Sequence, residues 1–64
     1  MEAKTKLARE LNAGDVLLPG QETVITVKED NTGRGLDVAV QPPGKRRRVV
    51  WWVPLRHPFT VVEA

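Results

Sequence analysis

From Val16 onward, apolar and polar residues alternate with a period of two, as in strands that pack one face and wet the other. Glycine and proline interrupt the alternation at Pro19-Gly20, at Gly33 and Gly35, at Pro42-Pro43-Gly44, and finally at Pro54 and Pro58. These four breaks predict five short strands, near residues 15–18, 22–30, 35–41, 46–53 and 59–63. Ahead of them, Thr5 to Ala13 is expected to form one or two helical turns. Thr5 serves as the N-cap, Leu7 and Leu11 share one face at i,i+4, and Gly14 closes the end in a left-handed conformation.

The strands can be tested for agreement in phase. Thr23, Ile25 and Val27 share one face of their strand, and Leu36, Val38 and Val40 share one face of the next. A four-residue turn over 31–34 sets Val27 opposite Val38 and Ile25 opposite Val40. A second four-residue turn over 42–45 sets Val38 opposite Val49 and Leu36 opposite Trp51. In both hairpins apolar residues meet apolar residues, as a one-sided core requires. The expected core is therefore Ile25, Val27, Val38, Val40, Val49, Trp51 and Val61. Arg46, Arg48, Val50 and Trp52 then point outward. Pro54 to Pro58 is too short for a helix and suits one 3₁₀ turn, after which Phe59 and Val61 return to the core.

A first strand set apart by a loop, a three-stranded meander, a 3₁₀ turn and a closing strand together resemble the small SH3-like barrel. Leu11-Asn12-Ala13-Gly14-Asp15-Val16 is similar to the entry to the first strand of such barrels. The abundance of Val, Arg, Gly and Trp is similar to that of short proteins of actinobacteria and their phages. The resemblance covers residues 11–63 and implies a fold, not an activity. The expectation is thus an all-β domain: a five-stranded SH3-like barrel over 15–64, preceded by a segment over 1–14 carrying the short helical turn.

Length and composition narrow the picture. Sixty-four residues accommodate one core, with a thin stability margin. Such folds usually need a staple. The absence of cysteine excludes disulfides, and a lone His57 without thiolates does not make a zinc site. What remains is a tightly closed barrel, an oligomer or a bound partner. The N-terminus lacks the apolar stretch of a signal peptide. The longest apolar run, Val49 to Leu55, has seven residues, far short of the roughly 20 that span a bilayer. A cytoplasmic protein without membrane contact is expected.

Candidate chemistry is sparse. Serine, cysteine and tyrosine are absent, so a nucleophile would have to be a threonine and its base His57, which stands between Arg56 and Pro58 as a rim residue. Glu29-Asp30 reads as turn chemistry rather than a carboxylate pair or a calcium loop. Gly33-Arg34-Gly35 has no helix behind it to cradle a phosphate. A non-enzymatic protein without cofactor or metal is expected.

Charge is what singles out a surface. Residues 1–43 carry five cations against seven carboxylates, whereas residues 44–64 carry five cations against Glu63 alone, so the net +2 conceals −2 and +4. The candidate nucleic-acid-binding residues are Lys45, Arg46, Arg48 and Trp52, cations to hold phosphates and a ring on which any base can stack. The competing reading makes Val50 and Trp52 the centre of a protein–protein or self-association surface, of the kind an accessory phage protein would use. A third reading places Trp52 beneath the N-terminal segment, against Leu7 or Leu11.

Overall fold

The computed structural model describes residues 3–63. Met1, Glu2 and Ala64, which the expected N-terminal segment and barrel include, lie outside the described residues. Six strands form one antiparallel sheet: β1 (Ala3–Leu7), β2 (Val16–Leu18), β3 (Glu22–Glu29), β4 (Gly35–Gln41), β5 (Val49–Pro54) and β6 (Pro58–Val62). Their spatial order is β1-β6-β2-β3-β4-β5, so β1 and β5 are the two free edges and the sheet is not closed.

The N-terminus supplies a sixth strand where five strands and a helical turn are expected. Thr5 does not cap a helix; it sits in β1, opposite Thr60 of β6. Only Ala8–Glu10 turns, as a single 3₁₀ turn in which the Leu7 N–H donates to Glu10 Oε1 at 2.8 Å. Pairing decides this. β6 already bonds β2 on one side, and β1 satisfies the backbone groups on its other side over five residue pairs. A two-turn helix would leave those groups to water and would be marginal alone. The 3₁₀ turn then docks through its own backbone. The Ala8 and Arg9 N–H groups donate to the carbonyls of His57 and Leu55, at 2.8 and 3.2 Å. Ala8 and Leu11 are thereby buried in the core.

β2 enters through a tight clasp. Gly14, with φ at 96°, lies where a side chain would be strained, and its N–H donates to the Val24 carbonyl at 2.8 Å. The Val24 N–H returns a bond to the Asp15 carbonyl at 2.8 Å. Asp15 is buried and accepts from Lys6 Nζ at 2.8 Å and from the Asn12 N–H at 3.0 Å. Lys6 also reaches Glu63 at 2.9 Å, and Lys4 reaches Glu63 at 2.7 Å. An ammonium pointing inward from an edge strand discourages that edge from pairing with other chains, in addition to joining β1 to the β2 entry.

The core is Leu17, Val24, Leu36, Val38, Val40, Val53 and Val61 with Ala8 and Leu11. Val27, Trp51, Leu55 and Phe59 pack against it, half-buried. Two expected members change places. A bulge between Val24 and Thr26 puts Val24, not Ile25, opposite Val40 and into the core, while Val27 keeps its place opposite Val38. Val49 is 39% exposed, because it opens an edge strand with nothing beyond it.

The β4–β5 register is shifted by two residues. Val38 faces Trp51 and Leu36 faces Val53, instead of Val49 and Trp51. The connection spans 42–48, three residues longer than expected, because Arg46, Arg47 and Arg48 leave the strand for solvent. Gln41 fastens this loop by donating from Nε2 to the Lys45 carbonyl. A two-residue shift keeps every side chain on its face, so the inward and outward sets of β5 survive it. Between β5 and β6 the chain makes one turn, closed by the His57 N–H on the Pro54 carbonyl at 3.1 Å, in place of the expected 3₁₀ turn.

Candidate functional site

Three large apolar side chains are exposed among the described residues, and all are on β5: Val49, Val50 at 63% and Trp52 at 55%. Lys45, Arg46, Arg47 and Arg48 lead into this strand, each exposed. None of these four cations takes part in the ion pairs found among the described residues, which join Lys4 and Lys6 to Asp15 and Glu63. The expected residues therefore divide. Lys45, Arg46 and Arg48 lie in the β4–β5 loop rather than on a strand face, whereas Trp52 lies within β5. Trp52 is four positions beyond Arg48, about 13 Å along an extended chain.

The surroundings of Trp52 separate it further from the arginines. It stands opposite Asp37 of β4, and its indole Nε1–H donates to Asp30 Oδ2 at 2.6 Å. Asp30 also organises the β3–β4 turn. Its Oδ1 accepts from the Thr32 N–H at 3.1 Å, and the Thr32 hydroxyl bonds the same carboxylate at 3.0 Å. The turn chemistry read from the sequence is thus present, with an added partner 22 residues away. The Trp52 indole, then the Thr32 donors, hold the Asp30 carboxyl below its ordinary range, against the opposing effect of partial desolvation.

Gly35 makes room for this ring. A Cβ there would come within 2.5 Å of the indole carbons Cε2 and Cζ2, so the ring lies on bare backbone. In the sequence Gly35 marks only a break between two strands; its place under an aromatic ring is visible only once β4 and β5 are paired. Trp52 is also clear of the N-terminal segment, since Leu11 belongs to the core and the indole stays largely exposed.

The indole–carboxylate bond makes a definite expectation. Trp52→Phe keeps a ring over Gly35 but removes the N–H, so the Asp30 carboxyl should titrate closer to its ordinary 3.8. A depressed carboxylate stabilises the fold above its unfolded pKa, and that contribution is lost as pH falls through the folded pKa. The stability difference between wild type and Trp52→Phe should accordingly shrink on acidification. Carbon-detected titration of Asp30 checks it, and identical titration curves in the two proteins would disprove the bond.

His57 is exposed and meets Phe59 edge-on, with ring centroids 4.8 Å apart. Among the described residues no three His, Cys, Asp or Glu side chains gather to hold a metal ion. No helix of the described residues is long and apolar enough to cross a membrane. The sequence matches no protein-family model, and no curated protein or solved structure is significantly similar to it.

Proposed function

We propose that the protein is a small non-enzymatic binding module that holds nucleic acid through its β4–β5 loop, with little sequence specificity. The observation that carries this reading is the run Lys45-Arg46-Arg47-Arg48, four exposed cations on one loop with no carboxylate partner among the described residues. Guanidinium groups match phosphate oxygens in pairs, and clustered cations gain affinity by releasing counterions from the polyanion. Trp52 is left out of this interface. A ring bonded to Asp30 and facing Asp37 stands beside two carboxylates, which repel phosphate.

We further infer that five of the six strands take an SH3-like arrangement. The support is the order β6-β2-β3-β4-β5, in which the last strand pairs beside the first of the five and the middle three form a meander, with β1 added outside β6. Small β-barrels such as the OB-fold bind oligonucleotides on a strand face and its loops. A protein partner is the second reading, favoured by the exposed apolar residues of β5.

The test is affinity for random single- and double-stranded oligonucleotides across salt. Four phosphate contacts predict a slope of log K against log salt of about −3 to −4. Arg46→Ala and Arg48→Ala should each reduce it by about one unit, whereas Trp52→Phe should leave affinity nearly unchanged. Absence of binding at low salt, where electrostatic attraction is strongest, would end this reading.

A further inference from the structure

On the reading proposed above, the exposed residues of β5 lie outside the phosphate-binding loop, and the strand that carries them is a free edge. Beyond β4 it has no neighbour in the sheet among the described residues, so its outer N–H and C=O groups form a template for another strand. β1, the other edge, carries the inward ammonium of Lys6. Within β5 itself there is no charge, and the strand presents Val49, Val50 and Trp52. We propose that the occupant of this edge is the β5 of a second copy of this chain, paired antiparallel about a two-fold axis through Val50.

Charge selects the second copy and its direction. Arg46, Arg47 and Arg48 precede β5, while Asp37 and Asp30 flank its far end at Trp52. Parallel pairing would bring the two arginine loops together. Antiparallel pairing sets the basic end of one chain beside the acidic end of the other, twice over. The strand is therefore complementary to itself.

Symmetry then restricts the register. A two-fold axis perpendicular to a continuous sheet pairs only residues on the same face, so paired numbers share parity. With Val50 opposite its own copy, Val49 faces the partner's Trp51 on the inner face, covering the valine that the single chain leaves exposed. On the outer face Arg48, adding one residue to the strand, faces the partner's Trp52 with the partner's Asp37 one strand beyond. A guanidinium over an indole with a carboxylate beside it is a favourable trio. Lys45, Arg46 and Arg47 stay free, so the dimer would present two basic loops of three cations each, and Arg48 would serve phosphate only in the single chain.

Sedimentation analysis of the full chain without nucleic acid tests this. Wild type should dimerise, more weakly at high salt. Val50→Lys, which charges the edge, should weaken the dimer by about tenfold or more, and Arg48→Glu by about tenfold. Adding Asp37→Arg to Arg48→Glu should restore association, and a native-like cooperative melt shows that each variant folds. The pairing is overturned if wild type stays monomeric up to about 1 mM, if the dimer is indifferent to Val50→Lys, or if the charge swap restores nothing. It is equally overturned if a monomer's β5 amides become protected on adding an oligonucleotide, because the edge would then serve the nucleic acid. Salt-dependent oligonucleotide binding, measured separately, decides the fate of the loop reading independently of these outcomes.

Discussion

Trp51→Ala is expected to leave a large fraction of the protein unfolded at 25 °C. Trp51 faces Val38 on the β4–β5 hairpin and packs against the buried cluster. Removing a core tryptophan costs about 3–5 kcal/mol, and a half-buried ring belongs at the lower end, about 3 kcal/mol. A single core of this size rarely exceeds about 3–5 kcal/mol in total. The loss is therefore comparable with the whole margin. Urea denaturation followed by far-UV circular dichroism measures it. Trp52→Phe makes the control, since it changes the other tryptophan on the outer face. A near-wild-type midpoint for Trp51→Ala would mean that the inner and outer faces of β5 had been exchanged.

The second large effect is expected at Asp15. Its carboxylate is buried and receives Lys6 Nζ and the Asn12 N–H. Asp15→Ala removes the acceptor of both donors and breaks a buried charge pair, which costs about 3 kcal/mol. Glu63 still holds Lys6, which keeps the figure at the low end of the range for broken pairs. Lys6→Met combined with Asp15→Leu removes both charges and should recover a large part of the loss, because a matched apolar pair is often as stable as a buried ion pair. Thermal melts of the three variants at neutral pH decide it. Equal losses in the single and double variants would show that the charges are not coupled.

The same cluster sets the pH window of the fold. Lys6 is raised above its ordinary 10.5, by its bond to Asp15 and then by that to Glu63. Its contribution is complete below 10.5 and is lost as pH rises through the raised value. Glu63 is lowered below its ordinary 4.5 by Lys4 and then Lys6. Its contribution is complete above 4.5 and disappears as pH falls through the lowered value.

The class of the fold and the face of most strand residues are legible in the alternation of the chain. Period-two alternation specifies which side a residue takes, and side is all that a one-sided core needs. Val38, Val40 and Val61 are buried, and Val50 and Trp52 point out, for that reason. The basic run at Lys45 to Arg48 was equally legible, since contiguous charge depends on no pairing.

Other features needed the tertiary structure. A shift of two residues between β4 and β5 leaves the alternation intact, so nothing local distinguishes the two registers. A bulge adds one residue without marking it, which is how Val24 displaced Ile25. Ala3 to Leu7 joined the sheet because β6, more than fifty positions away, offered it an unpaired edge, whereas Leu7 and Leu11 had fitted a helix face locally. Lys6 met Asp15 and Glu63, and Trp52 met Asp30, across separations of 9 to 57 residues. Side-chain bonds between distant parts of a chain carry no periodic signal; they exist only once the strands have been placed side by side.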